Sequence, residues 1–194
     1  MSVYQAIVIG AGPSGLATLR HLLRYNIPAI AIEKRHDVGG VWLFEDGTDR
    51  HSSAYKTLVT ITSKERSAFS DFPFPEEAPD YLPYEQVQRY FRQYAETFGL
   101  LDHIHFNEEV QSAHREGDRW LVRTSQGTYE TSHLIVASGH HWKPLIPDYP
   151  GTFTGGSYHS HDYTDPYQMK GQRILVVGAG NSGADIAVDG VRFA

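Results

Sequence analysis

The stretch Gly10-Ala11-Gly12-Pro13-Ser14-Gly15 decides the fold, because the periodicity of the chain changes on either side of it. The short β-branched run before it, residues 3–9, predicts a buried strand that ends at a glycine. Leucines at helical spacing predict a helix over residues 14–25, and residues 29–33 again have the pattern of a buried strand. Strand, helix and strand within about 30 residues form a βαβ unit, so we predict an α/β fold with a parallel sheet.

Each glycine of this stretch has a separate task in a dinucleotide-binding turn. Gly10 permits the tight turn, Gly12 lets the backbone approach a pyrophosphate, and Gly15 lets the helix pack closely on the strand. The phosphates then meet the N–H groups at the start of the helix. Glu33 follows about 20 residues later, where a carboxylate accepts hydrogen bonds from ribose hydroxyls. A glycine-rich turn without a ligand is the alternative, but the flanking strands and Glu33 favour a dinucleotide.

A second glycine-rich stretch, Gly178-Ala179-Gly180-Asn181-Ser182-Gly183, also follows an apolar run and precedes a helical pattern. The apolar run at residues 173–177 predicts a buried strand, and a helix begins over residues 185–188. Two such stretches imply two dinucleotides, one held tightly and one exchanged. The simplest chemistry that joins them is hydride transfer from a nicotinamide to a flavin. The alternative is an internal duplication with one inactive copy.

The chain between the two glycine-rich stretches has a loop-rich part and a meander. Prolines interrupt regular structure over residues 39–83, and helical spacing returns over residues 84–98. Three short strands separated by turn residues then predict an antiparallel meander, and one more buried strand ends near Gly139. We predict these four strands at residues 110–114, 120–124, 128–132 and 134–137.

The composition excludes several classes of function. The 194 residues carry a net charge of −6 and a pI near 6.0, so we expect no nucleic-acid partner. No cysteine is present, which excludes disulfides, thiolate metal sites and catalysis by a thiol pair. His159 and His161 stand two apart, but no carboxylate cluster completes a set of four ligands, so we predict no metal. No stretch approaches the roughly 18 apolar residues that cross a bilayer. We therefore expect no membrane segment in this chain and a cytoplasmic protein.

Residues 153–163, with the sequence Phe153-Thr154-Gly155-Gly156-Ser157-Tyr158-His159-Ser160-His161-Asp162-Tyr163, carry the pattern F-x-G-x-x-x-H-x-x-x-[Y/F]. Together with both glycine-rich stretches, Glu33 and the run Gly39-Gly40-Val41-Trp42, this pattern resembles the flavin-containing monooxygenases. Taken alone, the run at residues 39–42 is equally a plain turn with a packed Trp. Tyr163 favours the branch that oxygenates heteroatoms, because the related Baeyer–Villiger enzymes usually have Trp there. Further segments that resemble the family lie at residues 51–56, 62–65, 69–75 and 138–141.

The resemblance implies a flavoprotein fold with two dinucleotide-binding domains, which would take FAD and NADPH. We expect an FAD-binding domain at residues 1–145, a linker at residues 146–170 and the start of an NADPH-binding domain at residues 171–194. The implied activity is an NADPH- and O2-dependent oxygenation of a nitrogen or sulfur nucleophile through a C4a-hydroperoxyflavin. The expected partners are therefore O2 and a small-molecule nucleophile, and the expected assembly is a homodimer.

The resemblance also assigns cofactor contacts. Those expected at FAD lie in the first glycine-rich stretch and at scattered later positions: Gly10, Ala11, Gly12, Pro13, Ser14, Gly15, Glu33, Gly40, Val41, Trp42, Thr60, Ile61, Val110 and Gly139. Those expected at NADPH lie in and just after the second stretch: Gly178, Gly180, Asn181, Ser182, Gly183 and Asp185.

Ile61 departs from the family pattern, which usually has Asn beside the flavin ring at this position. The resemblance implies that an Asn amide here helps to hold the nicotinamide and the oxygenated flavin, whereas an Ile side chain cannot form a hydrogen bond. We therefore assign no catalytic residue. Either Thr60 or Thr62 takes the place of the amide, or the protein releases peroxide as an NADPH oxidase. A Baeyer–Villiger oxygenase and a non-catalytic FAD-binding fragment are two further interpretations that the sequence leaves open.

The chain ends at residue 194, within the first helix of the predicted NADPH-binding domain. A dinucleotide-binding domain needs more strands after its first glycine-rich turn. We therefore expect that these residues alone are an incomplete enzyme. We also expect residues 174–177 to be poorly covered or to pair with polypeptide outside the chain, because an unpaired strand leaves backbone groups without partners.

Overall fold

The structure is a computed structural model, and it describes residues 2–47 and 51–194. These residues form two compact units, the first from residues up to 40 with 88–139, the second from residues 41–87 with 140–194. The strands and α-helices in chain order are β1 (Ser2–Ile9), α1 (Pro13–Arg24), β2 (Ala29–Ile32), α2 (Lys64–Ser67), α3 (Tyr84–Thr97), β3 (Ile104–His105), β4 (Val110–Glu116), β5 (Arg119–Thr124), β6 (Thr128–Val136) and α4 (Asn181–Phe193).

The first unit is built on one sheet with the strand order β3-β2-β1-β6-β5-β4. Strand β1 lies at its centre and pairs in parallel with both β2 and β6, while β4 and β5 are antiparallel additions at one edge. Helix α1 connects β1 to β2 and buries Leu16 and Leu19. The predicted βαβ unit and the α/β class are confirmed, because β1, α1 and β2 lie within one to two residues of the expected bounds.

One prediction about the sheet is wrong. Residues 128–132 and 134–137 were expected to be two strands, but β6 runs unbroken from Thr128 to Val136. It pairs with β5 through residues 128–131 and with β1 from Tyr129 to Val136, so a neighbour supports it along its whole length. The polar residues in the middle of β6 do not end the strand. His133 is one of these residues, and its ring nitrogen Nδ1 lies 3.2 Å from the Gln5 carbonyl oxygen of the neighbouring β1. Pairing with neighbouring strands therefore overrides the local polar signal.

The core of the first unit consists of apolar residues from both halves of the sheet. Ile7, Ile30, Ile32 and Val122 are buried, and Trp120 and Tyr129 pack against them among other partly buried residues. The segment after α3 is fixed differently, through Arg20 of helix α1. The Arg20 guanidinium lies 3.4 Å from the centroid of the Phe98 ring, a cation–π contact that ties α1 to the end of α3.

The second unit contains little regular structure. Between residues 51 and 83, α2 is the only α-helix that the described part of the chain forms, as the prolines predict; residues 48–50 of the predicted loop lie outside the described residues. The backbone of Thr60 donates to the Leu82 carbonyl, and the Leu82 N–H donates to the Thr60 hydroxyl oxygen, both at 2.9 Å. This pair of bonds closes the loop that carries residue 61.

Residues 173–177 do not form the predicted strand. Among the described residues no strand pairs with them, and Leu175 is 82 % exposed and Val177 63 % exposed. The expectation that residues 174–177 are poorly covered is therefore confirmed, whereas the strand itself is not, since a strand needs a neighbour to bind its backbone groups. The predicted division at residues 145 and 170 stays a prediction. Within residues 2–47 and 51–194, no helix is both long and apolar enough to span a membrane.

Substitution of Gly15 tests the packing of α1 on β1. A Cβ atom on Gly15 would lie 1.9 Å from the Gly10 carbonyl oxygen, so Gly15→Ala forces the helix away from the strand. We expect the free energy of unfolding to fall by about 3 kcal/mol, measured by urea unfolding. Gly127→Ala is the matched control, because nothing lies within 4 Å of its Cβ position, and it should change stability little. Equal stability of the two variants would contradict the packing described here.

Candidate dinucleotide-binding sites

The first glycine-rich stretch forms a tight turn between β1 and α1. Gly10 has φ +100°, a conformation that favours glycine, and its N–H donates to the Ile32 carbonyl at 2.8 Å. Helix α1 then begins with Gly12 as its N-cap and Pro13 in its first turn. No side chain caps this end and no acidic residue lies in its first turn. The partial positive charge of the helix start is therefore available to an anionic group, as a pyrophosphate site requires.

A second backbone segment closes on this turn. Gly39 donates its N–H to the Ala11 carbonyl at 3.1 Å, and Gly40 has φ +58°. A Cβ on Gly12 would lie 3.3 Å from the Gly40 Cα, so a side chain there would require one of the two backbones to shift slightly. The predicted residues of the first stretch and Gly40 are thus brought together. Together these residues form a concave surface of backbone groups, and such surfaces bind anions such as phosphates.

Glu33 lies directly after β2 and is only 6 % exposed. Its Oε2 accepts the Ala11 N–H at 2.7 Å, and its Oε1 accepts the Arg35 N–H at 3.0 Å. The carboxylate therefore joins the glycine turn to the end of β2, a structural task that the sequence did not indicate. A carboxylate oxygen can accept more than one hydrogen bond, so this arrangement still fits a ribose diol.

Arg35 is a buried residue of the site that the sequence analysis missed. Its Nη2 donates to the Gly40 carbonyl, and its Nε lies 3.8 Å from the Glu33 Oε1. The neighbouring Asp37 accepts bonds from Arg92 Nη1 at 2.8 Å and from Gln88 Nε2 at 3.1 Å. These charges hold residues 33–40 on the glycine turn and on α3. The sequence signal that could have revealed Arg35 is the run of charged residues directly after a buried strand. Charged side chains that are buried need partners, so such a run indicates that some of them pair with each other.

Glu108 is a second buried acid that the sequence analysis missed. It is 2 % exposed, and its N–H donates to the Glu33 carbonyl at 3.0 Å. Its carboxylate accepts the Thr124 hydroxyl and the Tyr129 hydroxyl, the latter at 3.2 Å, and His105 Nδ1 lies 3.3 Å away. Burial, and then the bond to Glu108, raise the pKa of Tyr129 to about 12. This network fixes the segment that leads into β4 and the predicted contact Val110.

The second glycine-rich stretch adopts the same turn as the first. Gly178 has φ +123°, and the N-cap Gly180 has φ −79° and ψ 177°, against −75° and −175° for Gly12. A Cβ on Gly183 would lie 2.7 Å from the Gly178 carbonyl oxygen, as one on Gly15 would meet the Gly10 carbonyl. Helix α4 likewise has no side-chain cap and no acidic residue in its first turn, with Asn181 and Ser182 exposed at its start. Both stretches therefore build a turn suited to a pyrophosphate.

Asp185 lies just after this turn. It was predicted to line the pyrophosphate end, and in the structure its Oδ2 accepts the Tyr55 hydroxyl at 2.5 Å. Four residues later, the buried Asp189 accepts the Thr57 hydroxyl at 2.5 Å and the Tyr163 hydroxyl at 2.8 Å. The sequence analysis did not identify Asp189 or these hydroxyl contacts, because residues far apart in the chain form them.

Tyr163, the last residue of the segment at residues 153–163, packs this segment into the second unit. Tyr163 is fully buried, its ring centroid lies 5.4 Å from that of Tyr55, and its hydroxyl binds Asp189. The N–H of His161 donates to His159 Nδ1 at 3.0 Å, which starts a short 3₁₀ turn. Phe153, by contrast, is 73 % exposed. The hydroxyl bond gives a physical reason for Tyr rather than Phe or Trp at the final position.

The remaining predicted contacts lie in loops. Ile61 is 63 % exposed, while the Thr60 hydroxyl donates to the Thr62 carbonyl and the Thr62 hydroxyl pairs with Ser67 Oγ at 2.7 Å. Val41 and Trp42 form a short 3₁₀ turn with Gly40, and the Ser52 hydroxyl donates to the Val41 carbonyl. Gly139 has φ +80° and is exposed beyond the end of β6. The hydroxyls of both threonines are engaged within their own loop, so neither is a ready replacement for an amide.

Known proteins of similar sequence agree with the two dinucleotide-binding turns described above. The family model described as flavin-binding monooxygenase-like covers residues 4–194. Dimethylaniline monooxygenase [N-oxide-forming] 2 of Macaca mulatta is 41 % identical over 196 residues, an alignment that covers 94 % of this chain and 37 % of the relative. The chain therefore spans less than two fifths of the length of that curated relative.

Solved structures share the fold. S-allyl-L-cysteine S-oxygenase from Allium sativum superposes with a TM-score of 0.92 at 28 % identity, covering 98 % of this chain and 49 % of that protein. A steroid monooxygenase solved with NADP bound superposes with a TM-score of 0.76 at 26 % identity, covering all of this chain and 37 % of that protein. The fold is thus that of flavoproteins with two dinucleotide-binding domains. Because the family model matches nearly every residue, the chain belongs to the flavin-binding monooxygenase-like family.

Proposed function

We propose that this chain is the cofactor-binding part of an NADPH- and O2-dependent flavin monooxygenase. The observation that carries the proposal is the presence of two glycine turns of the same geometry, each opening a helix without acidic residues in its first turn. FAD is assigned to the first turn and NADPH to the second. We keep with this assignment the predicted domain division at residues 145 and 170 as part of the proposal.

The residues of the first turn fit a flavin dinucleotide in three ways. The start of α1 faces the phosphates with uncapped N–H groups, the Gly12–Gly40 approach leaves a wall of backbone, and Glu33 offers acceptors to a ribose. When bound, the flavin supplies hydride acceptance and the activation of O2. The chain supplies binding, orientation and the exclusion of water, so no side chain needs to act as an acid or base.

The proposed substrate is a small molecule with a soft nucleophilic nitrogen or sulfur atom. Two related proteins support this class by what their names state, since one forms N-oxides and the other oxygenates the sulfur of a cysteine derivative. The hydroxyl of Tyr163, which binds Asp189, fits the branch of the family that oxygenates heteroatoms. The homodimer and the cytoplasmic location remain predictions.

The proposed function is tested by product analysis. We incubate the purified protein that contains this chain as its cofactor-binding part with NADPH and O2, and we offer a thioether, a tertiary amine and a cyclic ketone in separate reactions. We expect a sulfoxide and an N-oxide, formed with consumption of NADPH. A lactone from the ketone with no sulfoxide would favour the Baeyer–Villiger alternative. NADPH consumption without any oxygenated product would favour an NADPH oxidase.

Replacement of Glu33 tests the assignment of the first turn. Glu33→Ala removes an acceptor from the ribose and also the two backbone bonds that hold the glycine turn. Because a hydrogen bond to a charged group contributes about 1.5–3 kcal/mol, we expect FAD affinity to fall at least about tenfold. The measurement is FAD content after gel filtration, with the exposed Glu109→Ala as the matched control. Full FAD occupancy in Glu33→Ala would contradict the assignment.

Replacement of Ile61 tests how well NADPH use is coupled to oxygenation. An exposed Ile at this position offers no hydrogen bond, and the neighbouring threonine hydroxyls are engaged in their own loop. We therefore expect the protein to release hydrogen peroxide for part of the NADPH consumed, and Ile61→Asn to lower this fraction. Ile61→Leu, which adds no hydrogen bond, should leave it unchanged. An unchanged peroxide yield in Ile61→Asn would show that residue 61 does not act at the flavin.

A further inference from the structure

Helix α4 carries two carboxylates on consecutive turns, and side-chain hydroxyls hold both of them. Asp185 accepts the Tyr55 hydroxyl at 2.5 Å, and Asp189 accepts the hydroxyls of Thr57 and Tyr163 at 2.5 and 2.8 Å. All five residues belong to the second unit. We call these three hydroxyls and two carboxylates the α4 clamp.

The two phenols of the α4 clamp keep their protons over a wide range of pH. Burial, and then the bond to Asp185, raise the pKa of Tyr55 well above its ordinary value, and burial followed by the bond to Asp189 does the same for the pKa of Tyr163. Both phenols therefore remain donors. Asp189 is only 4 % exposed, and the hydroxyls of Thr57 and Tyr163 supply the hydrogen bonds that a buried carboxylate needs.

The α4 clamp lies beside apolar contacts of the same helix. Ile186 of α4 packs in a buried cluster with Tyr55, Tyr163 and Met169. The hydroxyls of Tyr55 and Tyr163 thus bind the carboxylates of the same helix against which their rings pack. The hydrogen bonds add a fixed direction to this packing, because bonds to carboxylates depend on geometry.

The start of α4 is part of the second glycine turn. Gly180 is the N-cap, and the backbone of Gly183 lies against the Gly178 carbonyl, so the glycine turn and the first turn of the helix are packed on each other. Asp185 lies only two residues beyond Gly183. A hydroxyl that holds Asp185 therefore also fixes the direction of the N–H groups that would meet a pyrophosphate.

We propose that Tyr55, Thr57 and Tyr163 are positioning residues for the nicotinamide dinucleotide: through Asp185 and Asp189 they fix the N-terminus of α4 in the orientation that binds the pyrophosphate. The inference rests on the proposed function, because it takes NADPH as the ligand of the second turn. In this role the three residues act through helix α4, so removing their hydroxyls should affect binding rather than hydride transfer.

The experiment measures anaerobic reduction of the flavin in the purified FAD-loaded protein at increasing NADPH concentration. Tyr55→Phe, Tyr163→Phe and Thr57→Val each remove one hydroxyl from the α4 clamp. We expect each to raise the NADPH concentration at half-maximal rate about tenfold, while the limiting rate and the FAD content stay near the parent values. Thr57→Ser keeps the hydroxyl and should restore the parent affinity. Tyr167→Phe, an exposed Tyr beside α4, is the matched control.

The outcomes separate this inference from the proposed function. If the parent protein holds FAD but NADPH does not reduce it, the proposed function fails together with the inference. If the parent is reduced and the clamp variants keep their NADPH affinity within twofold, only the inference fails. A loss of FAD or of the folded state in every clamp variant, without a change in NADPH affinity of the folded fraction, would assign the clamp a purely structural role and also overturn it. If Tyr163→Phe does not fold, Tyr55→Phe and the pair Thr57→Val and Thr57→Ser decide.

Discussion

The close approach of Gly15 to the Gly10 carbonyl is the constraint on which the rest of the first unit depends. A methyl group on residue 15 does not fit against this carbonyl, and Gly10 itself has φ +100°, so the helix leaves the strand at this angle with glycine at both positions. That angle brings the start of α1 to the carboxyl end of β1, next to Gly39 and Gly40. Parallel sheets form their ligand sites at this edge. The glycine spacing therefore fixes where a dinucleotide can bind before any side chain contributes.

Side chains then hold this backbone surface in place. Glu33 joins the glycine turn to β2, Arg35 joins it to the Gly40 carbonyl, and Glu108 extends the network toward β4. The second turn has the same backbone geometry, and the α4 clamp holds the helix that follows it. Tyr163, remote in sequence from the glycines, contacts this helix through Asp189.

The features that were predictable from the sequence are those that depend on short spacing. Both glycine turns, helices α1 and α3 and the meander follow from local periodicity and turn residues. Long-range pairing was not predictable: β6 is continuous because β1 and β5 support it, and residues 173–177 are not a strand because no described strand pairs with them. Buried polar groups were missed for the same reason. The residues next to Glu108 and Asp189 in the sequence do not indicate that the hydroxyls of Tyr129 and Tyr163 form hydrogen bonds with these carboxylates.

The central claim is that the first glycine turn holds a flavin. The most direct measurement is the absorption spectrum of the purified protein, followed by heat release of the cofactor and its identification by chromatography. We predict the visible bands of an oxidised flavin and one FAD per chain in the released fraction. A protein that is colourless after reconstitution with FAD, or that releases an adenine dinucleotide without flavin absorbance, would contradict the account.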